Sequence, residues 1–492
     1  MKIILSVFLC LSTLAANATL VFNPSNFCIR AYHHILQLKL DEAELYLQRE
    51  IKSNPDNLFP VFLANYIDFF KIYISEDKNA YLRGFKKQKK RLQLLEQGNN
   101  QSPWFLYTQA SLMLQWSILQ FKFGEYLKAF RTVNRAYRLF DKNKKLFSGF
   151  IPNKMNLALL HTVIGTIPDE YNWGIAILGW QGSVSHGINE MKNLLKRNEK
   201  FFFYSECRIY YILLQLHLGN HADIAWQMVN QSDFKLNNNL LNAFIKAHVA
   251  MYTGHNHEAE MVLENTPHSK AFIPFYFLDY MHGLSLIRQL DTGATFYFKQ
   301  FINQFRGMNY IKESWQKLAW IAILKQDSVR YRQYMNQCLT AGTAQVEADK
   351  AAQLEAEQNL IPNIRLLKAR LLFDGAYYQQ ALDTLKLIHP KDTTILKNKI
   401  EYTYRMGRIH QELEHPRKAI YWFLKTIING QNQSWYYAAS AALQSGLIFE
   451  KEMNFDKARE FYLLCLAMHE KVYKSSLDAQ AKAGINRIND YR

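Results

Sequence analysis

Near the C-terminus the same residue types recur three times in one register, and this constrains the fold more than any other feature. Ala369, Leu372, Ala381 and Leu385 are followed by Gly407, His410, Ala419 and Phe423, and then by Gly446, Phe449, Ala458 and Tyr462. Each set places a small residue first, a bulky one three positions on, Ala at twelve and a bulky one at sixteen. On a helix, positions three or four apart share a face. A small side chain there lets a first helix approach a second one closely, and the bulky residue of the second fills the gap. Three such units in frame predict a row of antiparallel helix pairs. A chain of 492 residues is also too long for one compact core. Its 49% apolar content, with only 20 Gly and 11 Pro, suits an extended helical array and excludes disorder.

The pattern resembles the tetratricopeptide repeat (TPR). What the resemblance implies is an all-α fold, a right-handed superhelical α-solenoid of antiparallel helix pairs, irregular in its N-terminal half. Ala369 to Gly407 is 38 residues and Gly407 to Gly446 is 39, against about 34 in a regular array. Asn429 to Ser434 is the expected site of the extra loop. Weaker copies carry the register back: Ala31, His34, Ala43 and Leu47 before Pro55, and Ala247, Ala250, Ala259 and Leu263 before Pro267. Around Gly283 a further first helix is expected, with Thr295 where Ala belongs. Trp104 to Phe121 reads as a first helix and Lys128 to Ala136 as its partner. Gly375, Pro416 and Asn454-Phe455-Asp456 fall at expected turns and helix starts.

The expected domains are a signal peptide over 1–18; a basic helical region over 19–200 with degenerate repeats and a Gly-rich insert at 165–188; and degenerate helix pairs over 201–340. A polar connecting helix or linker follows over 341–361, and then the C-terminal array over 362–492. The signal reading rests on Lys2, an apolar run from Ile3 to Leu14, and Ala16-Asn17-Ala18. Phe8 and Leu9 before Cys10 argue against lipid anchoring. Export is therefore expected, to a periplasmic or envelope-associated place if the source is bacterial, or otherwise into a secreted setting. The remaining Cys28, Cys207, Cys338 and Cys465 are far apart and suggest neither a disulfide framework nor a zinc site. They are read as small apolar fillers.

The formal charge is +17. Its excess gathers in Lys86, Lys87, Lys89, Lys90 and Arg91, in Lys128, Arg131, Arg135 and Arg138, and in Lys142, Lys144 and Lys145. Two readings stand side by side: solvated helix faces, or a field that attracts an acidic protein, an anionic membrane surface or a glycan. No nucleic-acid partner is expected, since no zinc-finger spacing or other such motif occurs.

One glycine-rich segment departs from the ladder. Ile167-Pro168, Gly179, Trp180, Gly182, Gly187 and Ile188 resemble the Gly-aromatic-x-Gly-x4-Gly-aliphatic motif of the tetratricopeptide repeat protein 39 and inclusion-body-clearance family. That family also places the segment before a train of helix pairs. The resemblance implies architecture, with membrane-associated or lipid-linked work as its functional suggestion.

Motifs for chemistry are wanting. The stretch from Gly179 to Gly187 lacks the Lys of a phosphate loop, and Ser183 stands where a nucleophile elbow around Ser185 needs Gly. His217 and His221 straddle Gly219-Asn220; His255 and His257 fall in a turn; His33 and His34 are adjacent. Carboxylate pairs such as Asp41-Glu42 and Glu355-x-Glu357 suit helix starts and solvated faces. No catalytic residue, metal site or cofactor is expected, and a non-enzymatic scaffold for protein–protein interaction is. Its groove would be lined by the non-packing positions of the first helices: Asn363, Leu366, Arg370, Glu401, Tyr404, Arg408, Leu443, Leu447 and Glu450. Arg370, Tyr404 and Arg408 would hold an acidic peptide or glycan. The alternative is an envelope module that binds glycan or anionic lipid through the basic N-terminal half.

Overall fold

The computed structural model describes residues 20–166, 180, 182–197, 201–267, 269–388, 394–469 and 472–489. The expected signal peptide and much of the Gly-rich insert, Gly179 included, lie outside the described residues. Within them the chain is helical throughout, apart from one isolated bridge between Val21 and Asn57. The first helices are α1 (Asn26–Leu36), α2 (Leu40–Ser53), α3 (Phe59–Ser75), α4 (Lys78–Leu95), α5 (Pro103–Lys122), α6 (Tyr126–Leu146), α7 (Ile151–Ile164) and α8 (Val184–Leu195). They are followed by α9 (Tyr204–His217), α10 (Ala222–Val229), α11 (Leu240–Tyr252), α12 (Asn256–Glu264), α13 (Phe277–Ile287), α14 (Ala294–Gln304), α15 (Ile311–Leu324) and α16 (Ser328–Thr340). The last are α17 (Glu347–Gln358), α18 (Ile364–Asp374), α19 (Tyr378–Lys386), α20 (Leu396–Glu412), α21 (Pro416–Gly430), α22 (Tyr437–Lys451), α23 (Phe455–Leu466) and α24 (Lys474–Asn489).

These helices pack as consecutive pairs from α1–α2 to α15–α16 and again from α18–α19 to α22–α23; α17 and α24 belong to no such pair and pack on neighbouring helices. First helices also stack on one another, as α18 on α20 and α20 on α22, and packing of that extent joins no successive second helices. The first helices therefore form the inner row of a curved solenoid, and the second helices its outer row.

A single turn closes most pairs. After the first helix one residue enters the left-handed region: Leu38, Gly124, Gly254, Leu290, Gln326, Ala376, Glu414 and Met453 all have φ between 57° and 79°. The next amide then donates back to a carbonyl five residues earlier, as His415 N to His410 O at 2.8 Å and Asn454 N to Phe449 O at 2.9 Å. This is the Schellman geometry, which satisfies carbonyls that a helix end leaves unpaired. His410 and Phe449 thus serve the turn through their backbones and the packing through their side chains.

The repeat register is visible as packing. A methyl group on Gly407 would lie 2.5 Å from the Phe423 ring, and one on Gly446 2.5 Å from the Tyr462 ring. Ala369, Ala381, Leu385, Ala419, Phe423, Ala458 and Tyr462 are buried, and so are Leu372 and His410. In the α13–α14 pair, Gly283 faces Phe298 and the Ala slot is filled by Ala294, one position before the expected Thr295. Cys28, Cys207, Cys338 and Cys465 are buried and no disulfide joins them, Cys465 lying within the last pair.

The expected break in the ladder at the Gly-rich segment lies mostly outside the described residues; α7 and α8 on either side of it pack as a pair. One expectation needs correction: the region 341–361 does not present an exposed connector. Its helix α17 packs on α15 and α16 and buries Asp349, Ala352 and Ala356, because the alanines allow close approach. Asp349 accepts the amides of Tyr310 and Glu313 at 2.6 and 2.9 Å and so caps α15. One apolar cluster accordingly runs from Ala247 to Leu371 across the expected boundary.

The solenoid also closes on itself. On α24, Asn486 accepts the Val184 amide at 2.7 Å, and Arg487 donates to the Leu218 carbonyl at 2.5 Å. Arg487 is held in turn by both oxygens of Glu450, at 2.7 and 2.8 Å. Ala483 joins the core of the N-terminal half.

Candidate functional site

The inner row between α13 and α24 gathers cations and aromatic rings. Arg370 of α18 lies over the Trp320 ring of α15 at 4.6 Å, and Lys317 lies over the same ring at 3.9 Å. Lys317 pairs with Glu313 at 2.8 Å, and Tyr280 donates to the same carboxylate. Burial pushes that carboxyl up, but Lys317 and the Tyr280 hydroxyl more than reverse it and hold Glu313 below its ordinary value. On α20, Arg405 reaches Glu401 at 3.4 Å and the Tyr436 hydroxyl at 3.3 Å. Arg408 reaches the Tyr404 hydroxyl and Glu412, both at 3.5 Å, and covers the Phe373 ring at 5.0 Å. Burial raises the phenols of Tyr436, Tyr437 and Tyr473, so they remain neutral donors at physiological pH.

The arrangement is under-satisfied on the donor side. Arg288 Nη1, Arg405 Nε and Arg408 Nε are buried without a hydrogen-bond partner among the described residues. A buried donor left unpaired costs about 1–3 kcal/mol.

The expected groove residues divide in two. Arg370 and Arg408 lie in this cluster with side chains about one-fifth exposed, 22% each, and Glu401 is beside them. Tyr404 is 4% exposed and hydrogen-bonded to Ser440 at 2.8 Å, so it packs between α20 and α22 and offers no free face. Glu450 is engaged by Arg487 and by the Tyr462 hydroxyl. Asn363 caps α18 by accepting from the amides of Arg365 and Leu366. Leu366 and Leu443 are core. The solenoid winds tightly enough that inner positions of neighbouring first helices meet each other. Arg405, Arg288, Lys317 and Trp320 belong to the cluster and were not singled out in the sequence. Arg405 is two residues before a repeat glycine on an inner helix, a position that could have shown it.

A second surface lies on the outer row. On α4, exposed Lys86, Lys87, Lys89 and Lys90 accompany exposed Leu82 and Phe85. On α6, exposed Lys128, Arg131, Arg135 and Arg138 accompany Tyr126, Leu127 and Phe130, with Leu127 78% exposed. Lys87, Lys128 and Lys145 have nearby carboxylates. Among the described residues no helix is long and apolar enough to cross a membrane.

One group of metal-ligating types converges among the described residues: His161, His186 and Glu190. None of the histidine pairs weighed in the sequence contains them. The signal available was His186 and Glu190 one helical turn apart; His161 comes from another helix and had no local mark.

No protein-family model matches the chain, and no curated protein matches it. Among solved structures, a monomeric mutant of IFIT1 with Gppp-AAAA is similar at 13% identity, covering 89% of this chain and 96% of that one with a TM-score of 0.32. The APC/C hetero-tetramer Cut9–Hcn1 is similar at 11% identity, covering 93% and 95% with a TM-score of 0.25. The assignment as a TPR-like α-solenoid rests on the helix pairs described above.

Proposed function

We propose that the chain is a non-enzymatic scaffold that holds an acidic segment of a partner protein along its inner row, beside Arg370 and Arg408. The observation that carries this reading is the gathering of Arg370 and Arg408 on the inner row, each with about one-fifth of its side chain exposed. A partner carboxylate would pair with these guanidinium groups through charge-assisted hydrogen bonds. The test is affinity capture followed by direct binding of the recovered partner to wild type and to Arg370→Glu/Arg408→Glu, with helical content checked by circular dichroism. Charge reversal is expected to abolish binding; an unchanged affinity removes the inner row from the reading.

A second reading is favoured by the outer strip of α4 and α6, where cations alternate with exposed Leu82, Phe85, Leu127 and Phe130. Such a face suits an anionic lipid surface or an envelope glycan, the apolar tips favouring lipid. Sedimentation with anionic vesicles should weaken as salt rises and fall further in Leu127→Asp/Phe130→Asp. Equal binding to neutral vesicles would sink it. Both readings are set in an exported or envelope context because of residues 1–18. Fractionation with N-terminal sequencing tests that context, and an intact Met1 to Ala18 would return the protein to the cytosol.

A further inference from the structure

The α7–α8 pair approaches closely, and glycine makes this possible at three points. A methyl group on Gly165 would lie 2.5 Å from the Val184 nitrogen, one on Gly182 2.7 Å from His161 Cα, and one on Gly187 2.5 Å from the Ala158 carbonyl. In each case the obstacle is backbone, which cannot rotate away as a side chain can. Two of these glycines, Gly182 and Gly187, belong to the motif noted in the sequence.

The close approach has a chemical result. His186 and Glu190 lie one turn apart on α8 and so share a face, while His161 of α7 is brought against that face. His161 Nδ1 lies 2.6 Å from one Glu190 oxygen and His186 Nε2 3.4 Å from the other. The donor atoms of all three residues fall within 4.8 Å of one another. A tetrahedral ion with bonds of about 2.1 Å separates its ligands by about 3.4 Å, a value that these separations bracket. His161 is buried, which fixes one ligand, while the exposed His186 is free to adjust. A cleft of about 580 Å³ adjoins the group, lined by His161 and His186 together with Tyr137, Asp141, Lys144 and Asn189.

We propose that His161, His186 and Glu190 bind one divalent ion of the zinc type, with its fourth position open to the cleft. Two imidazoles and one carboxylate are the donor set that zinc accepts when a position is left for water or another ligand. A hydrogen-bonded His–Glu pair alone would need one histidine; here imidazoles from both helices of a pair meet one carboxylate. The ion would tie α7 to α8 where Gly182 and Gly187 let the two helices approach closely.

The test uses the full chain, stripped with chelator and titrated with Zn²⁺ alone against a competing indicator, and separately with Co²⁺ read by its visible d–d bands. Wild type is expected to take up one ion per chain. His186→Ala and Glu190→Gln are expected to weaken binding at least tenfold and to lose the Co²⁺ bands. His186 is exposed and the Glu190 change is isosteric, so circular dichroism should show both variants folded. His248→Ala is the control, since His217 and His248 also approach each other, at 3.2 Å between their Nε2 atoms. No uptake by wild type, undiminished uptake in His186→Ala and Glu190→Gln, or a loss that follows His248→Ala instead would each overturn the proposal.

Discussion

The two halves of the molecule solve the same packing problem by different means. In the C-terminal array a glycine opposes a ring: Gly407 meets Phe423, Gly446 meets Tyr462, and Gly484 of α24 meets the other edge of Tyr462. In the N-terminal half, polar side chains hold the inner helices together. Asn65 of α3 donates to Gln115 at 2.7 Å and accepts from Trp116 at 2.9 Å; Asn156 of α7 donates to Ser111 of α5 at 3.0 Å; Asn143 and Asn153 bond at 3.2 Å. Glu206, buried, accepts from the hydroxyls of Tyr32, Tyr66 and Tyr210. Both devices occur in both halves, as Gly98 against Phe22 and Tyr404 bonded to Ser440 show, but the repeating glycine–ring contact marks the C-terminal array and the wider polar network marks the N-terminal half. The first depends on what is absent from a position, the second on partners far apart in sequence.

That contrast is open to attack at its join, where Arg487 binds Glu450 on one side and the Leu218 carbonyl on the other. Removing one member of a buried ion pair leaves an uncompensated charge and costs about 3–5 kcal/mol. Arg487→Ala should therefore speed hydrogen exchange both in α22–α24 and at the end of α9. Loosening confined to α22–α24 would mean that the halves are mechanically separate.

Within the halves, Gly407→Val and Gly446→Val should each cost about 1–3 kcal/mol by overpacking. Asn65→Ala should cost a similar amount by stranding Gln115 and the Trp116 indole. Because arrays open locally, each loss should be read by hydrogen exchange in the affected pair. Gly149→Ala, where a methyl meets nothing within 4 Å, should leave the pattern unchanged. If it costs as much as Gly407→Val, glycine backbone freedom and not shape is the operative term.

A gentler probe is pH. Burial pushes the Asp349 carboxyl up to about 7, against the pull of its two amide donors. The folded chain then binds this proton more tightly than the unfolded chain, so this group's contribution falls as pH rises from about 4 through 7. The slope cannot exceed about 1.4 kcal/mol per pH unit for one proton. Denaturation midpoints taken between pH 5 and 8 should show it, and Asp349→Asn should flatten it. Last in size is Met453→Gly, which relieves a left-handed residue at a pair-closing turn and should stabilise α22–α23 by about 0.5–1 kcal/mol. A loss of stability would mean that the exposed Met side chain has a role of its own.

The contrast also explains what could be read from the sequence. The small-and-bulky register is local, repeats in frame, and led directly to the buried faces of α18 to α23. Gly375, Pro416 and Asn454 mark the turns at Ala376, Glu414 and Met453, but nothing local marks those at Leu38 and Leu290, which occupy left-handed positions where glycine is the usual signal. The Asn65, Ser111 and Asn143 bonds join residues up to 51 positions apart, and no periodicity marks them. Among the expected groove residues, Arg370 and Arg408 lie in the inner cluster. Tyr404 and Glu450 do not offer open faces, because the tightness of winding, which decides whether an inner position meets solvent or the next helix, is a sum over many pairs. His161 escaped notice for the same reason that Asn65 did.

The attachment of α24 to α8 and to Leu218 has a mechanical consequence. An open coil of helix pairs yields like a spring, and its pitch can relax to suit what it embraces. Here the last coil is riveted to an earlier one, so stretch in the intervening pairs must break the Asn486 and Arg487 contacts before the pitch can change. The molecule should therefore behave as a stiff clasp whose compliance is set by a few bonds on one helix.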